Sequence, residues 1–262
     1  MKTMKKDVEF ASDSYFYTIL SAILLSGLLF CHFSVHAATK LNSEGIEFDV
    51  TRVIYPEKNK NGVILKIYNR SNKPFLLQSV IKKIDLNTGL PDLNNQLNQP
   101  MPFVVTPPLT RFEANSQLDL RIRRNAQSLP QDRESVYFIT MRAIPAENRS
   151  QDKKSVSMAV VMSMKLFWRP HTLQSYAISK CAPKLHFVED VNVLTAKNPT
   201  PYWLTFSALK VGDYSFSNDA LRIMVPPAGE QQYRLPFPVK GEVTWQLMDE
   251  DGWKTEWQKQ QL

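Results

Sequence analysis

Residues 156–170 read Val156-Ser157-Met158-Ala159-Val160-Val161-Met162-Ser163-Met164-Lys165-Leu166-Phe167-Trp168-Arg169-Pro170. Val156, Met158, Val160, Met162 and Met164 alternate with Ser155, Ser157, Ala159, Val161 and Ser163. Alternation of this length predicts an extended strand with one strongly apolar face. Such a strand is either buried in its own sandwich or is an edge whose apolar face is lent to a partner. Periodicity alone favours the first. Both readings make this segment β.

Similar segments lie on either side. Phe48 to Tyr55, Val63 to Tyr68, Phe75 to Ile84, Leu118 to Ile122 and Tyr137 to Met141 all predict strands. Turn residues separate them, at Asn59-Lys60-Asn61-Gly62, Asn69 to Pro74, Asn87-Thr88-Gly89 and Ala114-Asn115-Ser116. Roughly seven short strands in about 130 residues fit an immunoglobulin-like sandwich. The pattern lapses from Arg169 to Pro183, which reads as a linker with little core. A second set of strands is expected at Leu185 to Val188, Val191 to Leu194, Tyr202 to Leu209, Leu221 to Val225, Gln232 to Leu235 and Val243 to Met248. The expected organisation is an N-terminal sandwich over residues 38–168, a linker over 169–183 and a smaller β domain over 184–262. The fold class is all-β. Only a short loop, Asn94 to Gln99, is compositionally biased.

Composition narrows the function. The chain has 262 residues, of which 43% are hydrophobic and 22% charged, so it is globular rather than disordered. Its eight glycines include no G-x-G, which removes the dinucleotide fingerprint and the phosphate-cradling loop. Four histidines and two cysteines leave little for a metal or a His-based catalytic centre. The net charge of +7 is scattered, as at Lys82-Lys83, Arg123-Arg124 and Lys153-Lys154, without a dense basic block or a nucleic-acid motif. Neither nucleic acid nor ATP is an expected partner, and no cofactor is expected.

The first 37 residues read as a secretory signal peptide. Lys2, Lys5 and Lys6 precede an apolar run from Tyr15 to Phe33, which leads into Val35-His36-Ala37-Ala38. Cleavage is expected after Ala37, with Ala38 as the alternative end. An uncleaved anchor is the competing reading, because the run is nearly long enough to span a bilayer. Phe30 sits where a lipoprotein site needs a small residue before Cys31, which argues against lipidation. Cleavage leaves about 225 residues with one cysteine, Cys181, which reads as a small buried hydrophobe. Asp132-Arg133-Glu134 and Asp249-Glu250-Asp251 offer paired carboxylates, but turns or ion-pair networks explain them better than glycoside chemistry. No G-x-S-x-G elbow is present. His171 and His186 lack ligand spacing.

Taken in order, these segments resemble the periplasmic pilus chaperones of the chaperone–usher pathway. The resemblance rests on Val156 through Pro170 together with Thr51-Arg52-Val53-Ile54-Tyr55, Thr106-Pro107-Pro108, Leu129 to Ser135, Ile144-Pro145 and Asn198-Pro199-Thr200-Pro201-Tyr202. It implies two immunoglobulin-like β-sandwich domains set at an angle around a cleft. It also implies a periplasmic protein without enzymatic activity. Such a chaperone binds pilus subunits by donating a β-strand and delivers them to an outer-membrane usher. Arg52 and Lys165 are implied as the anchor for the subunit's terminal carboxylate, a task suited to a guanidinium and an ammonium. The implied donated strand carries Val156, Met158, Val160 and Met162. Glu134, Arg169 and Glu250 are the implied domain-bridging ion pairs, with Glu250 standing where the family often has an aspartate. In the shortness of Ala146 to Met164 the chain resembles the chaperones of rod-like pili. A secreted β-sandwich adhesin or glycan-binding protein is the alternative from a different class.

Overall fold

The computed structural model describes residues 45–93, 100–146, 158–236, 238 and 241–262. The leader, its cleavage site, the Asn94 to Gln99 loop and Val156 lie outside the described residues.

The first sandwich contains β1 (Ile46–Phe48), β2 (Arg52–Pro56), β3 (Val63–Asn69), β4 (Phe75–Lys82), β5 (Ile84–Asp85), β6 (Leu90–Pro91), β7 (Phe103–Thr106), β8 (Leu109–Phe112), β9 (Ser116–Arg124), β10 (Ser135–Pro145) and β11 (Val160–Arg169). One sheet has the order β1-β3-β9-β7 and the other β2-β11-β10-β4-β8, with β5 and β6 forming a separate hairpin. Alternate residues of facing strands make the core: Val53, Tyr55, Leu65, Ile67, Leu77, Leu120, Ile122, Ile139, Met141, Leu166 and Trp168 are all buried in it. Phe48 to Tyr55, expected as one strand, is two. The chain leaves β1 in one sheet, crosses at Asp49-Val50-Thr51 and enters β2 in the other. An apolar run on both sides of a sheet-to-sheet crossing is indistinguishable, by period, from a single strand.

The second sandwich contains β12 (His186–Asp190), β13 (Val193–Asn198), β14 (Phe206–Val211), β15 (Tyr214–Ser215), β16 (Gly229–Arg234), β17 (Glu242–Leu247) and β18 (Gln258–Gln261). Its sheets are β12-β13-β16 and β15-β14-β17-β18. Leu221 to Val225 is not a strand. Ala220–Arg222 is a 3-10 turn, in which the Leu221 and Arg222 amides donate to the Ser217 and Asp219 carbonyls. Val225 alone bridges to Leu204. The residues between Arg169 and Pro183 are also more than a linker. A helical turn, α1 (Ile178–Cys181), buries Ile178 and Cys181, which join Ala177 and Ala182 in the second core. One turn of helix is too short to show a 3.6-residue period.

Each sandwich closes a corner with a buried asparagine. In the first, Asn69 Oδ1 accepts from the Ser71 amide and hydroxyl, while Nδ2 donates to the Lys73 and Glu113 carbonyls. In the second, Asn198 does the same work with the Thr200 amide and hydroxyl and with the carbonyls of Tyr202 and Pro226. A buried amide that saturates four backbone or hydroxyl groups fixes an irregular corner without leaving an orphaned donor.

The sandwiches meet through a third, small apolar cluster. Val136 and Phe167 of the first pack with Met224 of the second, flanked by Ile54, Ile84 and Trp203. The β5–β6 hairpin also reaches the second sandwich. A Cβ on Gly89 would lie 2.5–2.8 Å from the Arg222 and Ile223 backbone, so only glycine permits that approach.

Candidate functional site

β11 runs parallel to β2 and antiparallel to β10, and its two halves differ. From Lys165 to Arg169 it is paired on both sides, with Lys165 opposite Arg52 and Arg169 opposite Pro56. From Val160 to Met164 it pairs only with β10, so its other side is a free edge among the described residues. The apolar face changes along the same line. Trp168, Leu166 and Met164 are buried in the first core, and Met162 is partly buried against it. Val160 and Met158 are 53% and 76% exposed. An open cavity of about 390 Å³ lies at this end, lined by Ile46, Phe48, Val50, Met162 and Met164. The own-core reading of the alternation thus fits Met164, whereas Val160 is open.

Lys165 points to the opposite face of β11. Cross-strand pairing lines up Arg52, Lys165, Phe138 and Lys82 over β2, β11, β10 and β4. Sequence reasoning found the first two and missed the others, because the row exists only through strand pairing. Arg52 is buried, and its guanidinium lies 5.4 Å from the Phe167 ring centroid. Nη1 donates to the Met248 carbonyl at 3.1 Å, while Nε is buried without a partner. Among the described residues no carboxylate comes within ion-pair distance of Arg52 or Lys165. Burial pulls the Arg52 pKa down to about 10, against the pull of Glu134, Glu250 and Asp249. Burial, with Arg52 beside it, lowers the Lys165 ammonium to about 8. Two desolvated cations with donors to spare have the chemistry to accept a carboxylate.

Those nearby carboxylates are engaged elsewhere. Arg169 Nε donates to Glu134 Oε1 and Nη1 to Glu250 Oε1, each at 2.7 Å, and all three side chains are buried. Glu134 belongs to the first sandwich and Glu250 to the second, so one guanidinium ties the two together. Burial opposes the Arg169 charge, but its two carboxylate partners more than reverse that and hold the guanidinium protonated. Both carboxylates accept further hydrogen bonds. Glu134 Oε2 accepts from the Trp203 amide, and Glu250 Oε1 also accepts from the Ala177 and Ile178 amides. Arg169 also donates to the Gln174 and Ser175 carbonyls. A buried ion pair persists only when such extra bonds satisfy it.

Other sequence candidates are separate from this cleft. His171 is exposed and 2.8 Å from Glu57, and His186 is exposed on β12. Cys181 is buried, and that burial raises its thiol pKa. Among the described residues no group of three or more His, Cys, Asp or Glu side chains gathers as a metal site.

Known proteins share the two domains of this chain. Residues 45–174 match the pili and flagellar-assembly chaperone PapD N-terminal domain, and residues 180–259 match the pili assembly chaperone PapD C-terminal domain. The chain belongs to the pilus-assembly chaperone family. It is 32% identical to the chaperone protein FimC of Escherichia coli K12 over 231 residues, covering 87% of this chain and 88% of that one. Among solved structures, the chaperone resembles a chain of the Salmonella enterica SafA pilin–SafB chaperone complex, with TM-score 0.70, 28% identity, and 83% and 96% coverage. It also resembles the periplasmic chaperone SfaE, with TM-score 0.63, 32% identity, and 83% and 100% coverage. The fold expected from sequence, two β-sandwich domains, is that of these relatives.

Proposed function

We propose that this chaperone captures an incompletely folded pilus subunit by lending it the Val160 to Met164 edge of β11, with the subunit's terminal carboxylate held by Arg52 and Lys165. The observation that carries this reading is continuity. The free edge runs, on the same strand, straight into the residue paired with Arg52. A chain end fixed at Lys165 sets the register, and a one-residue slip would turn its apolar side chains to the wrong face. Val160, Met158 and Met162, with Val156 beyond, then fill the space of the strand the subunit lacks. Backbone pairing and apolar burial drive the step, so it needs neither ATP nor a catalytic group. SafB is solved with a pilin, which supports subunits as the partner class. Delivery to an outer-membrane usher follows from family membership. The periplasm, reached through the leader of residues 1–37, is the compartment, as the name of SfaE supports.

The test is Lys165→Ala, with circular dichroism to verify folding and a pull-down of a pilin subunit that the wild-type protein captures. The folded variant is expected to lose capture. Capture at the wild-type level would overturn the anchor.

A further inference from the structure

The anchor's geometry depends on a residue that touches no ligand. Arg52 makes no ion pair with Glu134, Glu250 or Asp249, whose charges act on it only from beyond contact distance, and its one hydrogen bond goes to an uncharged acceptor, the Met248 carbonyl. That acceptor holds the guanidinium in place and leaves its charge for an incoming carboxylate. Met248 leads into the turn Asp249-Glu250-Asp251-Gly252, which is closed internally. The Asp249 amide donates to the Trp253 carbonyl, the Gly252 amide to the Asp249 carbonyl, and Asp249 Oδ1 accepts from the Asp251 and Trp253 amides. The Met248 amide ties the turn to Thr205 at 2.9 Å. The turn is therefore closed on itself and tied to the second sandwich. Its tip, Gly252, has φ +88° and abuts Thr51, the residue before Arg52. A Cβ there would fall inside van der Waals distance of Thr51 Oγ1 and lie 3.3 Å from its Cβ.

We infer that Gly252 is a positioning residue for the carboxylate anchor: its missing side chain lets the 248–252 turn close on Thr51, which brings the Met248 carbonyl to Arg52. The inference rests on the anchor reading above and names the device that presets it. The same turn carries Glu250 to Arg169, so the ion pair between the sandwiches and the anchor share one contact.

The experiment uses calorimetric titration of the purified chaperone with a synthetic peptide of alternating valine and threonine, as the free acid and as the C-terminal amide. Wild type is expected to prefer the acid. Gly252→Ala is expected to weaken acid binding about tenfold, the scale of one charge-assisted hydrogen bond, and to leave amide binding unchanged. It should also broaden the distance distribution between spin labels at Lys66→Cys and Lys197→Cys, on the two sandwiches. Alanine at φ +88° carries backbone strain as well as the clash, and Thr51→Ala relieves only the severe part of the clash, the contact with Oγ1. Thr51→Ala alone should bind as wild type, and Gly252→Ala with Thr51→Ala should recover the preference for the acid. Full acid preference in Gly252→Ala, or no recovery in the double variant, overturns the role of Gly252 alone. No acid preference in wild type overturns the anchor itself, and the inference with it.

Discussion

Lys165 and Arg52 stand side by side as like charges, and burial makes each harder to keep protonated. The folded-state pKa of Lys165, about 8, lies below its ordinary 10.5. Protonated Lys165 therefore costs the free protein stability below pH 8, and that cost fades as pH rises from about 8 towards 10.5. A bound carboxylate has the opposite effect, since it favours the charged lysine. Two trends of opposite sign follow. Lys165→Met should melt a few degrees above wild type at pH 7, and that gap should narrow by pH 9.5. Over the same interval, wild-type affinity for a free-acid peptide should fall. Thermal melts and titrations at matched pH check both. The cations were legible in the sequence only through family resemblance, because they lie 113 positions apart and a parallel strand pair joins them. The Met248 carbonyl and the Gly252–Thr51 contact were not legible at all. They are backbone features, and the letters of a sequence do not show where a carbonyl points.

At the scale of the element, β11 is one strand with two environments. Its alternation was plain in the sequence, but where the core stops was not, because Met164 and Met162 are the same residue type. Exposure instead rises step by step along the inward face, from buried Met164 through half-buried Met162 to Val160. The neighbours Val160 and Val161 provide a matched pair, each 53% exposed in the free chaperone. Val160 lies opposite Ala143 on the inward face and Val161 opposite Arg142 on the outward face. Burying a valine is worth about 1.5–3 kcal/mol, so Val160→Asp should weaken subunit capture tenfold or more, by rough count. Val161→Asp should change it little. Surface plasmon resonance with an immobilised pilin separates the two, and equal losses would mean that the inward face is not the one donated. The turns were the most legible elements. Asn115, expected at a turn, adopts φ 51° between β8 and β9, and Gly62 has φ 88° before β3.

At the scale of the molecule, Glu134, Arg169 and Glu250 hold two sandwiches through a single buried guanidinium. Arg169→Ala leaves two buried carboxylates facing each other across the junction. It should cost about 3–5 kcal/mol in urea unfolding, far more than removing an exposed pair such as Arg111–Glu113. The organisation into two β units was readable from turn spacing. The buried turn at Ile178–Cys181 was not, since its neighbours His171 to Ser175 look like any polar connection. The central claim is that β11 completes a subunit along its free edge. Residue-resolved hydrogen exchange of the chaperone, with and without its pilin, tests this most directly. The predicted result is new protection of backbone amides on the free side of Val160 to Met164, with β3 and β9 unchanged. Unaltered exchange at Val160 to Met164 in a saturated complex would contradict it.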